Sequence, residues 1–483
     1  MKSSRVLLVL CATVALLAAL CCVFPEEGIA VGNATLRFPS LYKVLVGKEK
    51  GPSLEEILAQ KHAEYEVELQ GFNDSVRYFQ TQIDSSNLAF SLPDGDWTFF
   101  DTLFARMEQA AAQGVQLRVL HYGDSQIEMD RMSAQLRTHL QALFGGGGPG
   151  MLPFVQNIPS STVWQNAAGA FTQQSSYGGD LPRANGNYGP RAQCCHVSGI
   201  ATLNINASQH HTVDERAKHF SRVKLLFCNR PGPLQASLAC ARTKYDTLGV
   251  VQWTQQCEEA GVHAFEWVID SSVSSLKLTV QGDADLYAVL VDDMSGVAVD
   301  NIPLRGCSGQ QFCMIDATQL SAAYRQMDVG LIIMQFGGNS VPYLKGQRNI
   351  ETYAASIGRQ IDRVRQCCPK ATVLFVGPSD MSTMVAGELQ SYPAMENIID
   401  ALRDTANAHG AAYWSIYHAM GGRNSMVTWA SNGLAGTDYI HFSNKGVELM
   451  GNRFAQAFEQ MYDLYCFRKH APTEQPDSLY YDL

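Results

Sequence analysis

A strand that leads through Gly123-Asp124-Ser125 into an amphipathic helix most constrains how this chain can fold. Residues 117–122 have the composition of a buried strand, and residues from about 128 to 144 have helical periodicity. A residue at such a strand-to-helix switch lies at the edge of a parallel sheet where α/β proteins place their sites. A helix N-terminus nearby also favours developing negative charge. The segment therefore predicts an α/β fold with Ser125 at its functional edge.

The α/β pattern is interrupted once along the chain. Val329–Gln335 and Thr372–Val376 are continuous apolar runs, typical of parallel strands covered on both faces. Between residues 151 and 299, short alternating segments are separated by Gly, Asn, Asp and Ser turns. We therefore predict a three-layer α/β domain, with a parallel sheet flanked by helices, that is interrupted by an inserted β-sandwich or jelly roll.

The N-terminus predicts export. Lys2 and Arg5 precede an apolar run, Val6–Phe24, whose length is close to the roughly 20 residues that span a bilayer. The basic residues before it would stay cytoplasmic, which places the rest of the chain outside. A cleavable signal peptide and an uncleaved membrane anchor are both open interpretations of residues 1–30.

These patterns divide the chain into segments. After the N-terminal residues 1–30 comes a helical stalk or linker over residues 31–95. The α/β domain is predicted in two parts, residues 96–150 and 300–470, with the inserted β domain over residues 151–299 between them. Residues 471–483 form a C-terminal tail.

Composition excludes some classes of function. The net charge of −10 and the lack of a basic stripe in the 483 residues argue against a nucleic-acid partner. The 13 cysteines are irregularly spaced, and no pair of CxxC motifs indicates zinc. We therefore expect buried free cysteines or a few disulfides and no metal site, and the serine chemistry considered next needs no organic cofactor.

Three residues form a candidate catalytic set. Ser125 is the candidate nucleophile and His441 the candidate base. Asp438, three residues before His441, can fold back in one turn and orient the imidazole. The backbone N–H of Ser125 and the side-chain amide of Asn339 are candidate donors to an oxyanion.

The motifs around these residues resemble the SGNH (GDSL-like) hydrolase family. Gly123-Asp124-Ser125 resembles its first block, Gly337-Gly338-Asn339 its third, and Asp438-Tyr439-Ile440-His441 its fifth. Gln126 stands where many members have leucine, and Ser340 stands where many have aspartate. The resemblance implies the family's parallel-sheet fold and a serine esterase mechanism.

The family's second block, which supplies a glycine N–H to the oxyanion, is less distinct here. We assign it to Gly306, in Gly306-Cys307-Ser308, with Gly309 as the alternative. Gln126, beside the nucleophile, and Asp380, which follows a predicted strand, are candidate substrate-binding residues.

The position of the β insertion resembles that of cell-wall glycan O-acetylesterases, including peptidoglycan O-acetylesterases. This implies a periplasmic or cell-envelope serine esterase that removes O-acetyl groups from a polysaccharide, with peptidoglycan as the foremost candidate. The inserted domain would then bind carbohydrate. Two alternatives stay open, a glycan O-acetyltransferase with the same triad and a non-catalytic carbohydrate-binding scaffold.

Overall fold

The computed structural model describes residues 3–25, 28–31, 34–46, 53–177, 185–241, 251–269 and 273–473. One compact unit contains Met1–Ser75 with Ala471–Leu483, and a second contains Val76–His470. The helices are α1 (Ser3–Val23), α2 (Leu41–Val46), α3 (Leu54–Asp84), α4 (Asp101–Gln113), α5 (Arg131–Phe144), α6 (Glu215–Lys218), α7 (Ala317–Arg325), α8 (Gln347–Cys367), α9 (Met395–Ala408), α10 (Ile416–Met420), α11 (Ser425–Ser431) and α12 (Asn444–Arg468).

The strands differ in length, and the three longest lie in the insertion. They are β1 (Ile29–Val31), β2 (Ala34–Leu36), β3 (Gln116–Gly123), β4 (Gly150–Leu152), β5 (Val163–Ser175), β6 (Gln193–Ala207), β7 (Arg222–Asn229), β8 (Leu234–Ala241), β9 (Val251–Cys257), β10 (Gly261–Val268), β11 (Ser275–Asp292), β12 (Gly296–Pro303), β13 (Val329–Gln335), β14 (Thr372–Gly377), β15 (Ser382–Val385), β16 (Glu388–Ser391) and β17 (Ala412–Ser415).

The first unit contains a long apolar helix. Ser4–Val23, within α1, has a mean hydropathy of 3.0 and is long and apolar enough to cross a membrane. The exposed helix α3 begins with a capping box, because Ser53 Oγ accepts from the Glu56 N–H at 3.2 Å and Glu56 Oε2 accepts from the Ser53 N–H at 2.7 Å.

A five-stranded parallel sheet, in the order β12-β3-β13-β14-β17, forms the centre of the second unit. Its strands are buried on both faces, so alternate side chains enter two different cores. Val119 and Ile333 pack on the side of α4, α5 and α12. Leu120 and Ile332 pack on the side of α7, α8 and α9. This double coverage explains the continuous apolar runs in the sequence.

The insertion forms an antiparallel sheet of eight strands, β4 to β11, around a third core. The long strand β11 pairs with β6 on one side and with β8 and then β7 on the other. The insertion is therefore an additional antiparallel β domain, as the sequence predicts, and its eight strands are joined in one branched hydrogen-bonded sheet. The strand that follows, β12, already belongs to the parallel sheet. The exact domain boundaries stay predictions.

A buried ionic network joins the two sheets. Arg118 on β3 pairs with Asp300 on β12 at 2.6 Å and with Asp292 at the end of β11. Asp300 also accepts from the Met151 N–H on β4 at 2.8 Å. Because a buried charge is costly unless it is paired, these contacts fix the insertion against the edge of the parallel sheet.

Candidate active site

The turn that carries Ser125 follows directly from the end of β3. Asp124 Oδ1 accepts from the Gln126 N–H at 3.0 Å and caps a single 3₁₀ turn, Ser125–Ile127. A Cβ on Gly123 would lie 3.0 Å from the Ile127 side chain, so a larger residue here would require that side chain to move by a few tenths of an ångström. Ser125 is consequently held half-buried at the carboxyl edge of the sheet.

The helix after this turn begins later than the sequence predicts. We expected it to start near residue 128, but α5 begins at Arg131. Met129 and Asp130 have φ angles of 62° and 63°, which interrupt the helical path. Asp130 is fixed by a buried ion pair with Arg137 at 2.5 Å. β3 is therefore followed first by the short 3₁₀ turn, and α5 begins only after the two residues with positive φ.

Ser125, His441 and Asp438 form a continuous hydrogen-bonded chain. Ser125 Oγ lies 2.8 Å from His441 Nε2, and His441 Nδ1 lies 2.7 Å from Asp438 Oδ2. Asp438 Oδ1 accepts from the backbone N–H groups of Ile440 and His441 at 3.1 and 3.2 Å. Tyr439 has a φ angle of 55° within the turn that brings the Asp438 carboxylate to the imidazole three residues later. Nδ1–H donates to the carboxylate, so Nε2 is left to accept from the serine hydroxyl.

Opposing effects act on the pKa of Asp438. Burial disfavours its charged form, but the hydrogen bond from the His441 side chain and those from the two backbone N–H groups favour it more strongly. The net result is a pKa below the usual value for aspartate. Asp438 therefore stays ionised beside the imidazole at neutral pH.

Gln126 connects the turn that carries Ser125 to the turn that carries His441 by hydrogen bonds. Its Nε2 donates to the Ile440 carbonyl at 2.7 Å, and its Oε1 accepts from the Phe442 N–H at 3.4 Å. Arg131 connects the same two turns, because it donates to the carbonyls of Ser125 at 3.1 Å and Phe442 at 3.3 Å. Gln126 lines the cavity, but its amide is already occupied by these backbone groups. Sequence reasoning missed Arg131, because no motif marks it.

Asn339 lies beside Asp124, the residue that precedes Ser125. Its Nδ2 donates to the Cys307 carbonyl at 3.1 Å and lies 3.4 Å from Asp124 Oδ2. Burial raises the pKa of Asp124 to about 6, with the Gln126 N–H acting in the opposite direction. Asn339 and Ser125 line the same cavity.

The two candidate glycines differ in environment. Gly306 is exposed, has a φ angle of 74°, and would meet nothing within 4 Å if it carried a Cβ. Gly309 is buried, and a Cβ there would lie 2.8 Å from Phe336, which lines the cavity. Neither glycine lines the cavity itself. Burial raises the pKa of the Cys307 thiol to about 11, so this side chain stays a neutral thiol between them.

Asp380 is not brought to the site. Its buried carboxylate accepts from the Met426 N–H at 2.9 Å, and its pKa is raised by burial. Its neighbours Ser379 and Met381 line the Ser125 cavity, but Asp380 does not. The carboxylate fixes the start of α11, a role that only the tertiary structure reveals.

The cavity beside Ser125 has a volume of about 220 Å³. Apolar side chains, including Phe336, Met381 and Ile416, form part of its wall, and the largely exposed Tyr343 lies at its rim. Such a space takes a small acyl group with the ester bond at Ser125. Among the described residues, no group of three or more His, Cys, Asp or Glu side chains is placed to hold a metal ion.

Comparisons with known proteins agree with this architecture. Residues 270–449 match the model of the GDSL-like Lipase/Acylhydrolase family. The match contains Asn339, Asp438 and His441 but does not reach Ser125, which the β insertion separates from them. No curated protein sequence matches the chain.

A solved structure of a peptidoglycan O-acetylesterase has a TM-score of 0.58 and 19% identity, covering 76% of this chain and 96% of that one. At this identity the likeness establishes a shared fold. A family two carbohydrate esterase from Clostridium thermocellum has a TM-score of 0.26 and 9% identity, covering 61% of this chain and 100% of that one. The periplasmic domain of a lipopolysaccharide acetyltransferase from Salmonella ser. Paratyphi A has a TM-score of 0.25 and 9% identity, covering 34% of this chain and 74% of that one.

The first of these likenesses and the family match confirm the predicted fold, a parallel sheet flanked by helices with an additional antiparallel sheet. They also confirm the predicted resemblance to GDSL-like hydrolases, which cleave ester bonds.

Proposed function

We propose that this chain, which carries a GDSL-like hydrolase domain, removes O-acetyl groups from a glycan, with peptidoglycan as the foremost candidate. One observation carries the proposal. The hydroxyl of Ser125, the imidazole of His441 and the carboxylate of Asp438 are hydrogen-bonded in sequence beside a cavity of acyl-group size. This is the arrangement that activates a serine for attack on an ester.

The reaction follows from the order of these groups. Ser125 Oγ attacks the acetyl carbonyl carbon while its proton passes to His441 Nε2. The tetrahedral intermediate collapses, the C–O bond to the sugar breaks, and His441 returns the proton to the departing sugar oxygen. Water, deprotonated by the same imidazole, then attacks the carbonyl carbon of the acetyl-enzyme. The bond from that carbon to Ser125 Oγ breaks, His441 returns the proton to Oγ, and acetate leaves. Asp438 stabilises the imidazolium in both halves of the reaction.

We assign the oxyanion donors to the backbone N–H of Ser125, Nδ2 of Asn339 and a glycine N–H from the segment 306–309, either Gly306 or Gly309. The contact of Asn339 with the Cys307 carbonyl supports this assignment, because it brings the amide and the glycine segment together. Such donors act most strongly on the charge of the transition state.

Asn339→Ala is expected to lower kcat for an acetyl ester by about 10²–10³-fold, with a smaller change in KM, because the lost donor serves the transition state more than bound substrate. Steady-state kinetics on a chromogenic acetyl ester measure this. Asn349→Ala, at an exposed position of α8, is the matched control. Equal kcat values for Asn339→Ala and wild type would remove Asn339 from the oxyanion site.

Features outside the triad support the glycan and the location. The shared fold with a peptidoglycan O-acetylesterase supports a polymer substrate, and we assign carbohydrate binding to the inserted sheet. The apolar helix α1 supports an exported, cell-envelope protein, held by a membrane anchor or directed by a signal peptide.

The proposal is tested by acetate release. Full-length protein is incubated with O-acetylated peptidoglycan, acetylated xylan and an acetylated chito-oligosaccharide, and acetate is measured beside acetyl transfer to an added unacetylated oligosaccharide. We expect release to water, fastest on peptidoglycan. Transfer without release would make the protein an acetyltransferase. Release that is equally slow on every polymer would remove peptidoglycan as the substrate.

A further inference from the structure

A second cavity, of about 210 Å³, opens one strand away from the Ser125 cavity. It lies at the carboxyl end of β12, the strand that pairs with β3, and its other wall comes from the insertion. Exposed Asn157, Pro159 and Arg305 form its rim. A polymer bound at Ser125 and in contact with the insertion would pass this opening.

A buried guanidinium lies at the inner end of this cavity. Arg191 lines the cavity and is only 2% exposed. Its Nη1 donates to the Met151 carbonyl at 3.0 Å, and its Nε has no hydrogen-bond partner among the described residues. Within the described residues, Arg191 makes no ion pair. Two nearby buried arginines differ, since Arg118 pairs with two aspartates and Arg137 is held by a bidentate carboxylate.

The backbone holds Arg191 in this position. Ala192, the next residue, has a φ angle of 56°, which costs energy for a residue with a Cβ. Its carbonyl accepts from both the N–H and the hydroxyl of Ser176, each at 3.0 Å. Burial lowers the pKa of Arg191 to about 10, so it is still a cation at neutral pH. The Asp300 carboxylate acts on this charge from beyond ion-pair distance, since no carboxylate among the described residues pairs with Arg191. A ligand that brought a hydrogen-bonded negative charge to the guanidinium would therefore stabilise it further.

We propose that this cavity binds a carboxylate of the glycan substrate, with the guanidinium of Arg191 as its principal ligand. The proposal rests on the proposed function, which it deepens by naming an acidic acetylated glycan as the substrate class. The planar guanidinium matches a carboxylate in shape and charge. A lactyl ether on an amino sugar and a uronate both present this chemistry.

The first test compares matched substrates. kcat/KM for acetate release is measured on an O-acetylated oligosaccharide with its carboxylate free and on the same compound with the carboxyl reduced to an alcohol. We expect wild type to prefer the carboxylate by roughly 10- to 100-fold. Arg191→Met should remove most of this preference, and Arg191→Lys should keep part of it. Arg348→Met, at an exposed position of α8, should leave the preference intact.

A second measurement is independent of catalysis. N-Acetylmuramic acid, glucuronic acid and glucose are titrated calorimetrically into the full-length Ser125→Ala variant, with and without Arg191→Met. We expect binding of at least one acidic sugar, weakened about tenfold or more by Arg191→Met, and weaker binding of glucose. If no acetyl ester is cleaved but this pattern holds, the proposed function fails and the carboxylate site stands.

Two results would overturn the site. The first is a pair of findings: wild type has the same kcat/KM for the carboxylate substrate and for its reduced analogue, and it binds acidic and neutral sugars equally well. The other is a fall of the thermal midpoint by more than about 5 °C in Arg191→Met with equal loss on both substrates. That would make Arg191 a structural residue. Because Arg191 has no carboxylate partner in the described part of the chain, we expect the midpoint to change by less than this.

Discussion

Replacement of Ser125 by alanine is expected to reduce kcat/KM for acetyl esters by about 10⁴–10⁶-fold. The oxygen that would form the acetyl-enzyme is removed, and His441 is left with no proton to accept at 2.8 Å. Because the residues of a triad act as a unit, adding His441→Ala to the serine variant should cost little more. Acetate release and hydrolysis of a chromogenic acetyl ester, both followed to long times, measure the loss.

The control for Ser125→Ala is the same substitution at a serine outside the cavity. Ser431→Ala, at the exposed end of α11, changes the same group away from the cavity and should retain wild-type rates. Mass spectrometry adds a second readout, because a slow substrate should leave an acetyl group on wild type and none on Ser125→Ala. Wild-type turnover in Ser125→Ala would end the serine esterase assignment.

Asp438→Asn has the second large expected effect, a fall in kcat of about 10²–10⁴-fold. The amide can turn its NH₂ group toward His441 Nδ1, which favours the tautomer in which Nε2 carries the proton and cannot accept one from Ser125. The side chain of Asp438 is 48% exposed, so water replaces part of its interaction and the lower end of this range is expected.

The pH profile separates this role from a structural one. Loss of the negative charge destabilises the imidazolium form of His441, so the acidic limb of the kcat/KM profile should move to lower pH. Asp400→Asn, an exposed change on α9, is the control. If Asp438→Asn lowers the rate but leaves the acidic limb of the kcat/KM profile at the wild-type pH, Asp438 serves only to shape the turn.

Much of the architecture was predictable because it rests on local patterns. The runs at Val329–Gln335 and Thr372–Val376 became β13 and β14 almost residue for residue, since continuous apolar segments are stable only between two covering layers. The helix Leu54–Asp84 also followed the helical periodicity that predicts it. The start of α5 was wrong by three residues, because a buried ion pair with Arg137 holds Asp130 in a left-handed conformation.

The sequence by itself determined the chemical types of the site, Ser125, Asp438 and His441, because short motifs fix a residue relative to its own turn. Only the tertiary structure decided which residues these turns contact. Ser125 and His441 are 316 positions apart, and the same long-range packing engages Gln126 and turns Asp380 away from the cavity. It also leaves the Arg191 guanidinium without an ion-pair partner among the residues that the structure describes. Hydrogen bonding and burial depend on neighbours that are distant in sequence, so the pattern around a residue cannot reveal them.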